Sequence, residues 1–351
     1  MDPVLHKLEE AGYNTIAYAD DLAVLLEANH RNELERKGQQ AVEIILNWCE
    51  MAKLSLSPTK TSLVVFKGGN TSTPPHIYLD KHRIKSVKIQ KYLGVYLDPK
   101  LNFRAHLEKV CSKGKGLFFK LRRIAGQQGL LSASTLKTIY KGAFVPIVLY
   151  CCSVWAKTSS EVLSRRILDS AQRVALLAIT RAYRTSATEG LQVLTGILPL
   201  DLEAQKLAAR YAIRRQSDFW IGEDYYLTII SPNGTKAIGT INEHGSIIDI
   251  SHNPTIGITN QITNIILQTW QKRWEISHKA RSVYTFLPYV TLMGRPNVAL
   301  PRKEAVWMIT NHGPFRDRLA QFKIVDDPHC ECGQRDTSSH FCCALNLNIC
   351  K

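Results

Sequence analysis

The sequence has no long hydrophobic run and no leader-like beginning. Its longest apolar run, Ala143–Trp155, is shorter than the roughly 20 residues that a membrane-spanning helix needs, and it contains Pro146. The first residues, Met1-Asp2-Pro3, have neither a basic cluster nor an apolar core, so a secretory signal is not expected. We therefore expect an intracellular protein that has no membrane partner.

Acidic residues are also scarce. The 351-residue chain carries 30 Asp and Glu against 45 Lys and Arg, which gives a formal net charge of +15. Residues 104–182 account for most of this excess, with fourteen Lys and Arg but three Asp and Glu. Such a balance favours a polyanionic partner; nucleic acid is the leading candidate, and an anionic membrane surface is the alternative. The length allows two or three domains with a sizeable core.

Cysteine is sparse until the end of the chain. Four of the nine cysteines precede residue 330, and the last 22 residues hold the other five, namely Cys330, Cys332, Cys342, Cys343 and Cys350. In an intracellular chain, cysteines are more often free thiols or metal ligands than disulfides. The clustering therefore indicates a local metal site or a cysteine-rich end.

What the sequence does contain is a carboxylate doublet, Asp20-Asp21, between two short apolar runs. The runs at 15–18 and 22–26 predict strands, and the break between them predicts a β-hairpin with the acids at its rim. Adjacent carboxylates repel each other unless a cation lies beside them, and two hard oxygen donors suit Mg²⁺. Asp pairs in turns are also common as solvent-facing strand breaks, so the doublet alone leaves both interpretations open.

The box Tyr18-Ala19-Asp20-Asp21 resembles the active-site box of reverse transcriptases. The chain after it is similar to the polyproteins of non-long-terminal-repeat retrotransposons, in particular the type-one elements of insect ribosomal RNA genes. The resemblance implies an RNA-directed DNA polymerase with a two-Mg²⁺ site, in which Asp20 and Asp21 are catalytic metal ligands and Tyr18 lies near the substrate. It also implies three partners, an RNA template, a DNA primer and a deoxynucleoside triphosphate, and action in the nucleus.

A lysine follows in a stretch that resembles the fourth palm box of the family, Leu54–Thr61. The resemblance places Lys60 near the incoming nucleotide, where it would neutralise the triphosphate or protonate the leaving pyrophosphate. The family usually has Asn where this chain has Ser57. Without the resemblance, Lys60 would be taken as a solvated lysine after a proline turn.

The segment Lys91–Asp98 resembles the primer-grip hairpin of the same family. Tyr92 offers an aromatic face, Gly94 permits close backbone approach, and Leu93 lies between them, so all three are candidate nucleic-acid contacts. A Tyr-Leu pair in an ordinary strand is the alternative.

The basic region 104–182 predicts helices, and after a primer grip the family has a helical thumb that follows the template–primer duplex. Candidate phosphate contacts on the first helix are Lys113, Lys115, Lys120, Arg122 and Arg123, and those on a later helix are Arg165 and Arg166. A charge run usually marks only a solvated face, but such faces generally mix signs. Phosphate contacts of this kind are independent of sequence and sensitive to salt.

Cys330-Glu331-Cys332-Gly333 with His340 resembles the start of the zinc knuckle that occurs late in these polyproteins. The family pattern expects a fourth ligand at position 345, which is leucine here. Cys343 or its neighbour Cys342 could substitute in a tighter loop, which gives Cys330, Cys332, His340 and Cys343 as candidate Zn²⁺ ligands. An incomplete site and a cysteine-rich end without metal are the alternatives.

These features predict an α+β protein, a partial polymerase palm of antiparallel sheet with helix, followed by a mainly helical thumb and a small Cys/His tail. The predicted divisions are 1–98 for the palm with its primer grip, 99–216 for the thumb, 217–325 for a mixed connector and 326–351 for the tail. Helices are expected at 1–14, 32–52, 190–216, 270–289 and 304–322, whereas 231–265 is expected to hold loops with up to two strands. Residues 183–186 resemble family sequence without an evident chemistry.

Two functional hypotheses follow. Only seventeen residues precede Tyr18, so the third palm carboxylate, the fingers and the endonuclease of such elements are not expected in this chain. The first hypothesis is therefore a carboxy-terminal piece of a reverse transcriptase that is inactive by itself. The alternative is a nucleic-acid-binding remnant without catalysis.

Overall fold

A computed structural model describes residues 2–66, 73–128, 131–230, 236–241, 247–249, 257–290, 302–338 and 340. The chain divides into two compact units, Met1–His106 and Leu107–Lys351. Both contain helix, and small sheets occur in each, so the predicted α+β class is confirmed. The finer division of the second unit into thumb, connector and tail stays a prediction.

The first unit combines two helices with four two-stranded sheets. Its helices are α1 (Asp2–Glu10) and α2 (Arg31–Ala52), and its strands are β1 (Asn14–Tyr18), β2 (Asp21–Leu25), β3 (Ser62–Leu63), β4 (Tyr78–Leu79), β5 (His82–Arg83), β6 (Lys85–Ser86), β7 (Gln90–Tyr92) and β8 (Val95–Leu97). The antiparallel pairs are β1–β2, β4–β5 and β7–β8, and β3 pairs with β6 in parallel. β3 is regular over two residues only.

The helices of the first unit cover one face of the first hairpin. Val4 and Leu8 of α1 are fully buried, and they form one cluster with Ala41 of α2 and with Leu22 and Val24 of β2. This packing follows from the amphipathic pattern of both helices, because the apolar stripe of each must be removed from water. The helix expected at 32–52 is therefore present as α2, and it packs on the hairpin.

A glycine in the middle of α2 has a packing reason. A Cβ at Gly38 would lie 2.2 Å from Cδ1 of Ile77 and 3.3 Å from Cδ1 of Leu26. The absence of a side chain lets the segment before β4 approach the helix closely, which offsets the lower helix propensity of glycine.

The second unit begins with a long basic helix and continues with a bundle. Its helices are α3 (Arg104–Gln128, whose first residues belong to the first unit), α4 (Ala133–Ile139), α5 (Val145–Val148), α6 (Cys152–Trp155), α7 (Val162–Thr180), α8 (Thr188–Thr195), α9 (Leu200–Arg214), α10 (Ile258–Ile276), α11 (Arg281–Phe286), α12 (Lys303–Thr310) and α13 (Arg316–Gln321). A π-helical turn, Tyr140–Phe144, joins α4 to α5, and a 3₁₀ turn, Ala156–Ser160, follows α6.

Aromatic rings fill the core beneath α3. Phe118 meets Phe144 edge to face at 5.5 Å between ring centroids, and Tyr140 stacks on Phe144 at 5.0 Å. Gly114 permits the approach, since a Cβ there would lie 2.7 Å from Val148 and 2.8 Å from Phe144. The apolar side of this basic helix is therefore buried as the sequence predicts.

The region expected to hold loops and up to two strands is more regular than predicted. A four-stranded antiparallel sheet in the order β12–β11–β10–β9 consists of β9 (Phe219–Ile221), β10 (Asp224–Ile230), β11 (Lys236–Ile241) and β12 (Ile247–Asp249). Helix α10 then begins at Ile258, well before the predicted start at residue 270. Two strands, β11 and β12, lie within 231–265 as expected. The expectation was wrong only from Ile258 onward, where buried residues recur at helical spacing.

No single helix in the described residues is long and apolar enough to cross a bilayer. One bent pair, Ala133–Val148 with Cys152–Ser160 at 57°, passes a test of length and composition. Its large side chains, among them Phe144 and Trp155, are fully buried inside the protein, as is usual for core helices.

Candidate functional site

The carboxylate doublet lies at the tip of a tight hairpin, as predicted. Tyr18 pairs with Asp21 across β1 and β2, which leaves Ala19 and Asp20 as a two-residue loop. Ala19 has φ of +53°, a left-handed conformation that two-residue hairpin loops require but that alanine rarely adopts. Such strain costs about 1–3 kcal/mol and is concentrated at functional sites.

The two faces of this hairpin differ. Leu22 and Val24 face the helices, whereas Asp21 shares the opposite face with its partner Tyr18 and with Ile16, because side chains alternate along a strand. Ile16 is 50% exposed and Tyr18 is 65% exposed, and both carboxylates are open to solvent. Asp21, the Tyr18 ring and Ile16 therefore lie on one solvent-accessible face of the hairpin.

A second hairpin contacts the first. Tyr92 pairs with Val95 across β7 and β8, so Leu93 and Gly94 form its loop, with φ of +44° and +86°. The Tyr92 hydroxyl donates to the carbonyl oxygen of Ile16 at 3.5 Å. The structure thus brings the segment Tyr92–Gly94 next to the hairpin that carries the doublet.

Lys60 lies in an exposed turn. The backbone N–H groups of Lys60 and Thr61 donate to the carbonyl oxygen of Ser57 at 3.2 and 3.0 Å. Among the described residues, no hydrogen bond or ion pair joins the Lys60 side chain to Asp20 or Asp21. Its proposed contact with a nucleotide stays a prediction.

Sequence reasoning gave no role to one buried acid beside the second hairpin. One oxygen of Asp98 accepts N–H groups from Lys100 and Asn102 at 3.1 and 3.2 Å, and the other accepts that of Phe103 at 2.8 Å. Leu101 and Phe103 have left-handed φ values of +49° and +55°. Asp98 thereby fixes the loop that follows β8.

Four exposed cations of the basic helix α3 lie in one stripe. Lys109, Lys113, Lys120 and Arg123 are exposed and, at 100° per residue, lie within about 80° of the helix circumference along about 21 Å of its axis. Lys115 falls outside the stripe, and its Nζ donates to Oγ of Ser170 at 2.9 Å. The side chain of Arg122 lies outside the described part of the structure.

The two arginines of the later basic helix, Arg165 and Arg166, have different surroundings. Arg166 is exposed, whereas Arg165 lines a cavity of about 300 Å³ together with Asp169, Asp201 and Arg273. Burial, and next the neighbouring Asp201, raise the pKa of Asp169 to about 6 against the lowering effect of Arg165. Asp201 is almost fully buried and is paired with Arg273 at 2.5 Å.

The tail brings three of its predicted ligands together. The ligand atoms of Cys330, Cys332 and His340 all lie within 4.8 Å of one another, with Sγ of Cys332 at 3.3 Å from Nε2 of His340. The Cys332 N–H points to Sγ of Cys330 at 3.5 Å, and Gly333 completes the turn with φ of +85°. Two thiols and an imidazole fit Zn²⁺. The fourth candidate, Cys343, lies outside the described residues.

Comparisons with known proteins agree with this arrangement. The family model for reverse transcriptase (RNA-dependent DNA polymerase) matches residues 1–97. The chain is 30% identical over 343 residues to a retrovirus-related Pol polyprotein from type-1 retrotransposable element R1 4 of Nasonia vitripennis, covering 92% of this chain and 81% of that protein. A second Nasonia polyprotein, from element R1 2, is 28% identical over 353 residues, with 99% and 81% covered.

A longer relative is similar to the chain at the same level of sequence identity. A 115 kDa protein in type-1 retrotransposable element R1DM of Drosophila melanogaster is 30% identical over 355 residues, which is 99% of this chain. The chain spans 32% of the length of that relative. No solved structure matches the chain.

Proposed function

Because the chain belongs to the reverse transcriptase family of type-1 (R1) non-long-terminal-repeat retrotransposons, we propose that it contributes the metal-binding hairpin and duplex contacts of an RNA-directed DNA polymerase. The observation that carries the proposal is the exposed carboxylate doublet at a strained hairpin tip beside the Tyr92–Gly94 loop. The reaction extends a DNA primer on an RNA template with deoxynucleoside triphosphates.

The donor set at the tip fits magnesium. Asp20 and Asp21 offer two hard oxygen ligands that are open to solvent, and Mg²⁺ characteristically takes one or two carboxylates together with waters and substrate phosphates. Asp20 and Asp21 would hold such ions, which would supply the positive charge that activates the primer 3′-hydroxyl and stabilises the departing pyrophosphate. Lys60 would supply a proton or positive charge to the leaving group.

Among the described residues, the acids that precede the doublet are not on a strand beside it. Asp2, Glu9 and Glu10 belong to helix α1 rather than to a strand beside the doublet. Reverse transcriptases use a third carboxylate from a neighbouring palm strand, so we expect this chain by itself to give no primer extension with an RNA template and Mg²⁺. Extension that is lost in Asp20→Ala would overturn this part of the proposal.

Metal binding at the doublet has a test that needs no catalysis. Mn²⁺, a paramagnetic substitute for Mg²⁺, should broaden the amide signals of Ala19–Asp21 in the full chain, and D20N/D21N should abolish the broadening. The pair Asp326-Asp327 provides a matched control, because it is also an adjacent acid doublet in an exposed turn. Equal broadening at both doublets would show only the weak attraction of any acid pair.

The stripe on α3 supports the proposed duplex contact. Each phosphate neutralised contributes about 0.9 to the slope of log K against log salt concentration for a duplex. K113A/K120A should therefore weaken binding of an RNA–DNA hybrid and lower this slope by about 2. K115A is the control, because Lys115 contacts Ser170 and should leave the slope unchanged.

A second candidate is nucleic-acid binding without catalysis. The basic stripe favours it, since phosphate binding needs none of the palm carboxylates. If the chain binds hybrid duplex through the stripe but shows no Mn²⁺ site at Asp20-Asp21, this candidate replaces the first. Intracellular action in the nucleus is expected from the family and remains a proposal.

A further inference from the structure

A rigid, exposed basic loop joins α7 to α8. We call residues 181–186, Arg-Ala-Tyr-Arg-Thr-Ser, the 181–186 loop. Arg181, Tyr183, Arg184 and Thr185 are exposed, and the Tyr183 ring is 39% exposed. Two guanidinium groups and an aromatic ring are therefore presented to solvent within four residues.

A half-buried arginine holds this loop from inside. Nη1 of Arg173, on α7, donates to the carbonyl oxygen of Ser186 at 2.6 Å and to Oγ1 of Thr188 at 2.9 Å, and its Nη2 donates to the carbonyl oxygen of Arg184. The planar guanidinium thus fixes the far half of the loop through several directed hydrogen bonds.

Helix α12 and His312, two residues beyond its end, hold the loop from the other side. The indole N–H of Trp307 donates to the carbonyl oxygen of Arg181 at 3.3 Å, and the Tyr183 ring lies edge-on to Trp307 at 5.3 Å between centroids. His312 hydrogen-bonds the Thr185 hydroxyl at 2.9 Å. The backbone is therefore held in one conformation, which lowers the entropy lost on binding a ligand.

The positive charge of the loop has no counter-charge in the described part of the chain. Arg173, Arg181 and Arg184 form no ion pair with any described carboxylate. The pKa of His312 is held below its ordinary value by burial and then by the nearby charges of Arg318 and Arg173, which is consistent with a positive local field. The acceptors of the half-buried Arg173 guanidinium are two carbonyl groups and a hydroxyl group, none of which carries a negative charge, so this field is available to an anion.

We propose that the 181–186 loop binds single-stranded nucleic acid, with Arg181 and Arg184 pairing with backbone phosphate and the exposed part of the Tyr183 ring stacking on an unpaired base. The pairing of fixed cations with an aromatic surface is how sequence-tolerant single-strand sites are built. The inference rests on the proposed function and deepens it, because a reverse transcriptase must hold the unpaired part of its template. The site is separate from the stripe on α3.

The test measures binding of the full chain to a labelled oligouridine of about 12 nucleotides by fluorescence anisotropy, at about 50 to 200 mM salt. R184Q should weaken binding and lower the salt slope by about 0.7, the value for one phosphate of a single strand. Y183L should weaken binding about 10-fold with an unchanged slope, because stacking carries no net charge. The Arg184 side chain makes no intramolecular hydrogen bond among the described residues, so R184Q should fold normally.

A matched control lies at the end of α9. Arg215 lies over the ring of Tyr211, at 5.7 Å from the ring centroid, and both residues are exposed. Y211L/R215Q removes the same chemistry from another surface of the same unit and should leave binding unchanged. If this control loses as much affinity as Y183L/R184Q, or if Y183L/R184Q binds like the unaltered chain, the proposal is overturned.

Further measurements in the same binding experiment identify the ligand and the role of Arg173. A loss confined to oligouridine assigns the loop to RNA, and an equal loss with oligothymidine assigns it to single strands of either sugar; both outcomes support the site. R173K keeps the charge but loses the directed hydrogen bonds, so it should weaken binding without changing the slope. An unaltered chain that binds oligouridine but no RNA–DNA hybrid would contradict the proposed polymerase function without affecting the loop.

Discussion

The phenolic hydroxyl of Tyr92 lies 3.5 Å from the carbonyl oxygen of Ile16, so two hairpins separated by 76 positions in the sequence meet. Ile16 shares the exposed face of β1 with Tyr18, directly beside the carboxylate of Asp21. The contact is long and accessible to solvent, so it adds little stability. It places an aromatic side chain within reach of anything that occupies the acidic tip.

Replacement of Tyr92 should weaken nucleic-acid binding while having little effect on the stability of the fold. We expect Y92F to change the free energy of unfolding by less than about 0.5 kcal/mol, because a long exposed hydrogen bond contributes little. Y92A should weaken binding of an RNA–DNA hybrid about 10-fold through loss of stacking surface, measured by anisotropy. Y78A is the control, because Tyr78 is an exposed tyrosine on another strand of the first unit. An equal loss in Y78A would contradict a specific role for Tyr92.

Asp98 should prove important for the stability of the first unit. D98A leaves three backbone N–H groups without their acceptor, one of them fully buried, and should lower the free energy of unfolding by about 2–4 kcal/mol in denaturant titrations. D98N retains one acceptor oxygen and should lose about half as much. E43A, an exposed acid of α2, should change stability by less than about 0.5 kcal/mol. A D98A effect as small as that of E43A would refute the capping role.

Local sequence patterns were sufficient to predict the elements of the site that depend on residues close together in the sequence. Apolar runs on either side of Asp20-Asp21 predict a hairpin, and helical spacing predicts α2 within one residue of its observed start. These features depend on neighbours a few positions apart, which a single sequence displays. The strain at Ala19 could not be predicted, because nothing in its residue type favours a positive φ.

Long-range contacts account for what the sequence did not reveal. Arg173 looked like one more member of a basic helix, yet its partners are backbone carbonyls of a later loop, which carry no signal in the residue types. The start of α10 was missed for a different reason. Ile258, Ile262 and Ile266 recur every four residues, but the β-branched residues around them have strand propensity, and burial of the apolar face decides in favour of helix.

The stability of the second unit should depend on pH through Asp169. Its pKa is raised to about 6 from 3.8, chiefly by burial, so the folded state binds a proton more tightly than the unfolded state. The free energy of unfolding therefore falls as the pH rises from 3.8 through about 6. D169N cannot ionise and keeps the acceptor for Gln192, so it should be more stable than the unaltered chain at neutral pH by about 1–2 kcal/mol.

The pH dependence of this difference provides the decisive comparison. The advantage of D169N should shrink as the pH falls through about 6 and should vanish near 3.8, where the native carboxyl is also neutral. Denaturant titrations across this interval measure it, and D326N, at an exposed acid, should show no such trend. A constant difference at all pH values would mean that Asn alters packing rather than removing a charge.

The tail should bind one tetrahedral metal ion. Two thiolates and an imidazole already lie together, and the N–H group of Cys332 that points to Sγ of Cys330 would stabilise thiolate charge in a metal turn. Co²⁺, a coloured substitute for Zn²⁺, should therefore give the visible bands of a tetrahedral thiolate site in the full chain. C330S and H340Q should abolish these bands, whereas C49S, at a buried thiol far from the tail in sequence, should retain them.

The same titration identifies the fourth ligand. Leu345 stands at the position where the family pattern expects cysteine, so a fourth ligand from the protein would come from a tighter loop, and Cys343 is the predicted choice. C343S should weaken Co²⁺ binding at least about 10-fold, because the substitution removes one thiolate bond and leaves three protein ligands. C342S should leave Co²⁺ binding unchanged. The reverse result would assign Cys342 instead. If neither variant alters the spectrum, then the metal is held by Cys330, Cys332 and His340 with a water molecule as the fourth ligand.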